Sequence, residues 1–95
     1  MSTLAVRIRH ETYVDSVLLM KATREMNKRE GVDWAAAVIG TPANRDMLIS
    51  RGGDPTELAG ASANDLVLAV SAETSEAAEE ALTAGEAVAL AAIAQ

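Results

Sequence analysis

Residues 4–10, Leu-Ala-Val-Arg-Ile-Arg-His, alternate in character, with Leu4, Val6 and Ile8 on one side and Arg7, Arg9 and partly Ala5 on the other. A period of two with β-branched residues predicts a strand buried on one face, showing Arg7 and Arg9 to solvent or to a partner. Asp15-Ser16 then opens an apolar-rich run in which Leu18, Leu19, Ala22 and Met26 share one helical face, so a helix is expected over about 15–30, ending at Gly31. Val32–Ile39 is apolar at seven of eight positions and bracketed by glycines, the pattern of a strand covered on both faces, as in the centre of an α/β sheet. Thr41 and Pro42 suit an N-cap and first helical position, so a second helix is expected to run from there to just before Gly52-Gly53. The Gly-, Pro- and Ser-rich stretch 52–64 reads as loop with one turn near Thr56–Leu58. Leu66–Val70 is the third strand, and Thr74 caps a long final helix with an apolar stripe of Ala78, Ala81, Leu82, Gly85, Val88, Ala89, Ala92 and Ile93.

The order β-α-β-α-β-α predicts a small three-stranded α/β sandwich whose sheet is mostly parallel with right-handed crossovers. A ferredoxin-like α+β fold, with the second and third strands antiparallel, is the alternative. Ninety-five residues make a single domain, 1–95. Three strands leave edges that need cover, which argues for a partner domain or for oligomerisation.

Composition narrows the chemistry. The chain has no cysteine and no Phe, and Trp34 and Tyr13 are its only aromatics. A disulfide framework, a zinc knuckle and a thiol nucleophile are excluded. No apolar run is long enough for a membrane span, and the N-terminus lacks the order of a signal peptide, so a cytoplasmic location is expected. Net charge is −6 and unevenly spread: all eight Lys and Arg lie in residues 1–51 with six acids, and residues 52–95 hold eight acids and no base. An acidic chain without an aromatic platform is a poor match for nucleic acid. The acidic half reads either as a solvated helix face or as a surface for a basic partner.

Gly40-Thr41-Pro42-Ala43-Asn44, between a strand and a helix, is the strongest local feature. A helix N-terminus offers backbone N–H groups and a positive dipole end. Gly40, Thr41, Asn44 and Arg45 are therefore the candidate anion- or ligand-binding residues, against a plain capping role. The spacing is neither a P-loop nor a dinucleotide fingerprint. His10, the only histidine, stands at a strand end and reads as a turn residue before it reads as a general base. Asp15-Ser16 reads as a cap, and Asp65 as an acceptor for a loop N–H. Met20, Met26 and Met47 read as core or interface filler. With no second His, a transition-metal site would need unusual carboxylate ligands, and no cofactor is expected. Nucleophile, base and oxyanion partner do not assemble from these residues.

Several segments together resemble the N-terminal domain of the FdrA family. They are Asp15-Ser16-Val17 with Leu19-Met20, Gly40-Thr41-Pro42-Ala43-Asn44 with Leu48, and Ala63-Asn64-Asp65-Leu66, followed by an Ala/Glu-rich helix. The resemblance makes Asp15, Ser16, Asn64 and Asp65 family-motif positions. It implies kinship with the α subunit of ADP-forming succinyl-CoA synthetase (acyl-CoA synthetase-like proteins). It also implies kinship with carbamoyltransferase components of allantoin and oxamate catabolism, which work with other subunits and a carbamate kinase. The sequence stops at Gln95, where CoA-binding domains would begin in the long form, and it holds no phosphohistidine loop. CoA binding and ligase activity do not carry over. The expectation is an accessory subunit or domain of an FdrA-type acyl- or carbamoyl-transfer complex of the oxamate carbamoyltransferase kind, inactive alone, a homo- or hetero-oligomer. The alternative is a small-molecule-sensing or oligomerisation module.

Overall fold

The computed structural model describes residues 4–91. The elements follow the hydrophobic pattern closely: β1 (Leu4–Arg9), α1 (Ser16–Asn27), β2 (Val32–Ile39), α2 (Pro42–Ser50), the one-turn α3 (Pro55–Leu58), β3 (Leu66–Ala72) and α4 (Ser75–Leu90). All four helices start on the side-chain caps that suit them. The side chains of Asp15, Thr41, Asp54 and Thr74 each accept a hydrogen bond from a first-turn amide. Ala92 and Ile93, the last two positions expected in the α4 stripe, lie outside the described residues.

The sheet corrects the expected topology. Its order is β1-β3-β2, and β3 runs antiparallel to both neighbours, so the mostly parallel sheet is overturned and the ferredoxin-like alternative is compatible. The cause lies in residues 40–65. A parallel β2–β3 pair needs the chain to cross the sheet once. Here it crosses twice. Gly53 sits beside Leu4, where β1 begins, while Gly40 donates its N–H to Asp65 O at the opposite end. The chain goes out along α2, turns at Gly52-Gly53, returns through α3, and enters β3 where it left β2. A Cβ on Gly53 would lie 2.7 Å from Leu58 and 2.9 Å from Leu48 O, so that turn closes only around glycine.

A second correction concerns which strand is central. β3 occupies the middle, and Leu66, Val67, Leu68, Ala69 and Val70 are all fully buried. β2 is an edge, despite its apolar run. Its outer backbone groups are met by α1 instead of a strand. Ala35 N–H donates to Asn27 Oδ1 (3.1 Å), Asn27 Nδ2 donates to Ala35 O (2.8 Å), and Ala37 N–H donates to Thr23 Oγ1 (2.9 Å). A bulge between Val32 and Trp34 breaks the alternation of β2. It lets Val32 share a face with Ala35 and Ala37 while Trp34 packs on the other.

Each face of the sheet has its own core. On one, α1 and α4 cover Ala35, Ala37, Leu66, Leu68 and Val70 with Ala22, Met26, Ala78, Ala81, Leu82 and Ala89. On the other, Leu48 and Leu58 from α2 and α3 cover Leu4, Val67 and Ala69. Arg7 and Arg9 turn to the α4 side and are not simply solvated. Arg7 pairs with Glu79 (3.2 Å) and Glu86 (3.1 Å), and Arg9 with Glu86 (3.3 Å). Met26 is core, Met47 packs against the second core, and Met20 is exposed.

Candidate functional site

Three segments meet at the end of the sheet where β1 and β2 finish and β3 begins. They are the His10-Glu11 turn, the Gly40–Asn44 turn and the loop 61–65. Asp65 ties the first and third together. One carboxylate oxygen accepts from Glu11 N–H (2.8 Å), and the other from Ser62 N–H (2.8 Å) and His10 Nδ1 (2.9 Å). Glu11 holds a left-handed backbone (φ 51°), uncommon for a residue other than glycine, and that conformation goes with its amide's bond to Asp65. The carboxyl of Asp65 is only 3% exposed. The two backbone N–H donors, with His10 adding to them, hold it below the ordinary carboxylate value of 3.8, at about 2, against the opposing effect of burial.

The Gly40 turn joins this knot through its backbone. A Cβ at position 40 would stand 2.6 Å from Ser62 O, so the loop before β3 can pass only because the residue is glycine. Thr41 Oγ1 accepts from Asn44 N–H (3.3 Å), Asn44 Nδ2 donates to Ile39 O (2.7 Å), and Arg45 N–H donates to Thr41 O (2.9 Å). Pro42 supplies no N–H. The side chains of Thr41 and Asn44 are thus engaged in closing their own turn. Arg45 differs. Its Nε is the one buried side-chain polar atom without a partner among the described residues. The residue lines a cavity of about 190 Å³ between α2 and α3, with Pro42, Asp46, Ile49 and Pro55 among its neighbours.

The fold therefore gathers Gly40, Thr41, Asn44 and Asp65 at one end of the sheet and sets Arg45 toward the α2–α3 side. Asp15 accepts from Leu18 N–H (3.0 Å) as the α1 cap, Ser16 is exposed beside it, and Asn64 N–H donates to Ser62 Oγ (3.3 Å). The linkage of His10 and Glu11 to Asp65 spans more than fifty residues of chain, and no spacing rule anticipates it. An Asp-oriented imidazole is half of a general-base arrangement. Among the described residues no nucleophile is bonded to it: the nearby hydroxyls, Thr12 Oγ1 and Ser62 Oγ, bond to His10 O and Asn64 N.

Soft metal ions call for thiolates, clustered thioethers or several imidazoles, and of the described methionines Met26 is buried in one core, Met47 packs on the other and Met20 stands exposed on α1. The sequence has no cysteine and one histidine, whose Nδ1 is engaged by Asp65. No group of three or more His, Cys, Asp or Glu able to hold a metal ion occurs among the described residues. The donor set does not fit a heavy metal. Among the described residues no helix is long and apolar enough to cross a membrane.

No solved structure matches this chain. A family model does, from end to end. That match agrees with the FdrA and allantoin-pathway resemblance at the level of the family, and it carries neither CoA chemistry nor carbamoyl transfer by itself. On that match over residues 1–95, the chain belongs to the family described as the AllF heavy metal-associated domain.

Proposed function

We propose that this domain is a non-catalytic accessory part of an FdrA-type carbamoyl-transfer enzyme of the oxamate class, where it helps hold the other subunits together. Family membership supports a role in allantoin catabolism. The observation that carries the non-catalytic reading is the fate of the polar groups. Thr41, Asn44, Asp65 and His10 are engaged with their own backbone turns or with one another. What such groups build is a rigid end to the sheet. The family's heavy-metal description brings no donor set with it here, and no step of the proposed role passes through a metal.

The exception to that engagement is Arg45. In this reading its guanidinium, at the cavity between α2 and α3, is offered to an anion at the junction with a neighbouring subunit. An incompletely partnered arginine is suited to a carboxylate or phosphate. Reconstitution tests both parts. Omitting this chain from a mixture of the partner subunits is expected to lower the yield of complex and the rate of carbamoyl transfer together. Arg45→Ala is expected to leave assembly intact and raise KM for the anionic substrate about tenfold, the scale of one hydrogen bond to a charged group. Equal yield and rate without the chain would overturn the accessory role. An unchanged KM in Arg45→Ala would remove the anion contact alone.

A further inference from the structure

The two edges of the sheet are finished differently. At β2 the outer N–H and C=O of Ala35 and the outer N–H of Ala37 are taken by Asn27 and Thr23, and a bulge breaks the strand between Val32 and Trp34. In an antiparallel ladder the residues of a strand turn their backbone groups alternately to one side and to the other. Because Ala35 and Ala37 bond outward, Trp34, Ala36 and Val38 are the residues that bond to β3, through Ser71, Ala69 and Val67. Leu66, Leu68 and Val70 then turn to β1, where they meet Arg9, Arg7 and Ala5. That alternation leaves the N–H and C=O groups of Leu4, Val6 and Ile8 pointing out of the sheet. Among the described residues no side chain or loop bonds to them. β1 runs against β3 in unbroken register, with no bulge and no proline. Arg7 and Arg9, the charges that could guard such an edge, are tied back to Glu79 and Glu86 on α4.

We infer that this edge pairs with the same edge of a second copy, β1 antiparallel to β1, so that the two sheets become one. The two-fold axis of the pair passes beside Val6. Val6 then stands opposite Val6 of the second copy and Leu4 opposite its Ile8, and every outward N–H and C=O of both strands finds a partner. The side chains of these residues all lie on the α2/α3 face, Leu4 buried and Val6 and Ile8 partly exposed, and the pairing joins them into one apolar row. On the other face Arg7 lies opposite Ala5, a residue small enough to leave it room. An axis at Arg7 would set the two arginines against each other, and an axis at Ala5 would leave Ile8 with no partner in β1. A slip of one residue would set outward groups against inward ones. What singles out a second copy is this self-complementarity: one register satisfies backbone, apolar and charged groups together. Glu79 and Glu86, the acids that α4 turns toward this edge, reach the junction already paired with Arg7 and Arg9, so neither copy brings an excess of one charge to it. The guarded β2 edge offers no second site, so the contact is isologous and stops at the dimer. The inference is independent of the carbamoyl-transfer reading, because it concerns the chain alone.

Sedimentation equilibrium of the whole chain over a concentration series, with hydrogen exchange read residue by residue, tests it. The expected result is a species of twice the chain mass. The Val6 and Ile8 amides become protected as that species fills, while those of Ala5 and Arg7, bonded to β3, are protected at every concentration. Val6→Pro removes an outward N–H and no bond to β3. It is expected to keep the circular dichroism of the wild type and to weaken association about tenfold or more, since both hydrogen bonds across the axis are lost. A chain that stays monomeric at every concentration overturns the inference and leaves the edge to a strand of another polypeptide. A dimer whose Val6 and Ile8 amides exchange as fast as the monomer's also overturns it and puts the contact elsewhere. So does a Val6→Pro chain that folds and dimerises like the wild type. If Val6→Pro does not fold, the exchange of the wild-type amides decides alone.

Discussion

The two faces of the sheet are built on opposite principles. The α1/α4 face packs many small residues close around a few large ones such as Met26, Leu68 and Leu82: Ala35 and Ala37 below, Ala78, Ala81 and Ala89 above, and Gly85 against Met26. The α2/α3 face rests on a few large side chains, above all Leu48 and Leu58, both fully buried. A short helix and a single turn cannot cover a sheet with alanine, because they bring too few residues to it. Two long helices can, because close approach of backbones replaces side-chain volume. One face should therefore fail when atoms are removed and the other when they are added.

The largest effect is expected at the sparse face. Leu48→Ala removes a side chain with no exposed surface and should cost about 2–5 kcal/mol, read by chemical denaturation. A loss below 1 kcal/mol would mean that α2 collapses into the gap and that the face is softer than its packing suggests. Next comes the seal between the dense face and the β2 edge. Asn27→Ala leaves the buried N–H and C=O of Ala35 without their partners and should cost about 1–3 kcal/mol. Hydrogen exchange at the Ala35 amide should quicken in that variant, and protection equal to wild type would show that another group replaces Asn27.

Gly85→Ala sharpens the comparison, because helix propensity and packing oppose each other there. Alanine favours the helix by about 1 kcal/mol, but its Cβ would stand 2.5 Å from Met26 Sδ and 2.6 Å from Met26 Cγ. Met26 is fully buried and has little room to move, so the packing cost wins, with a net loss of about 1–2 kcal/mol in melting experiments. A gain in stability would break the claim that the α1/α4 face is filled to its limit.

Asp65 gives an effect confined to acid. Its carboxyl has a lower pKa folded than unfolded, so its ionised form stabilises the fold fully above the unfolded value of 3.8. That contribution is lost as pH falls from 3.8 toward about 2. Asp65→Asn should be less stable at neutral pH and show a flatter acid limb in a pH series of melts. An identical acid limb would mean that other carboxylates control it. The smallest effect is expected where Arg51 lies over the Trp34 ring, 4.3 Å from its centroid. Arg51→Ala should cost about 0.5–1 kcal/mol and should change the tryptophan emission.

Local signals were strong in this chain. Asp15, Thr41 and Thr74 cap the helices they were expected to cap, because a capping side chain acts within three residues of itself. Gly40 was legible as a turn residue, but its reason, the Ser62 carbonyl 2.6 Å from any Cβ, was not. The candidate site was half legible. Gly40, Thr41, Asn44 and Asp65 could be picked out one by one. That Asp65 accepts from a loop N–H, here that of Ser62, was legible as well; that it also gathers Glu11 and His10 was not, since hydrogen bonds across more than fifty residues leave no periodic trace.

By itself the sequence determined the seven elements, their capped starts and the apolar faces, since each follows from contacts within a turn or a strand. Which strand lies in the middle, which way it runs, and what covers the edges were decided in three dimensions. The apolar run of β2 looked central, yet α1 meets its outer backbone with Thr23 and Asn27, leaving β3 to take the centre. The direction of β3 turned on whether residues 40–65 cross the sheet once or twice. Hydrophobic period reports which side of an element is buried; it does not report how often the chain passes over that side before it returns.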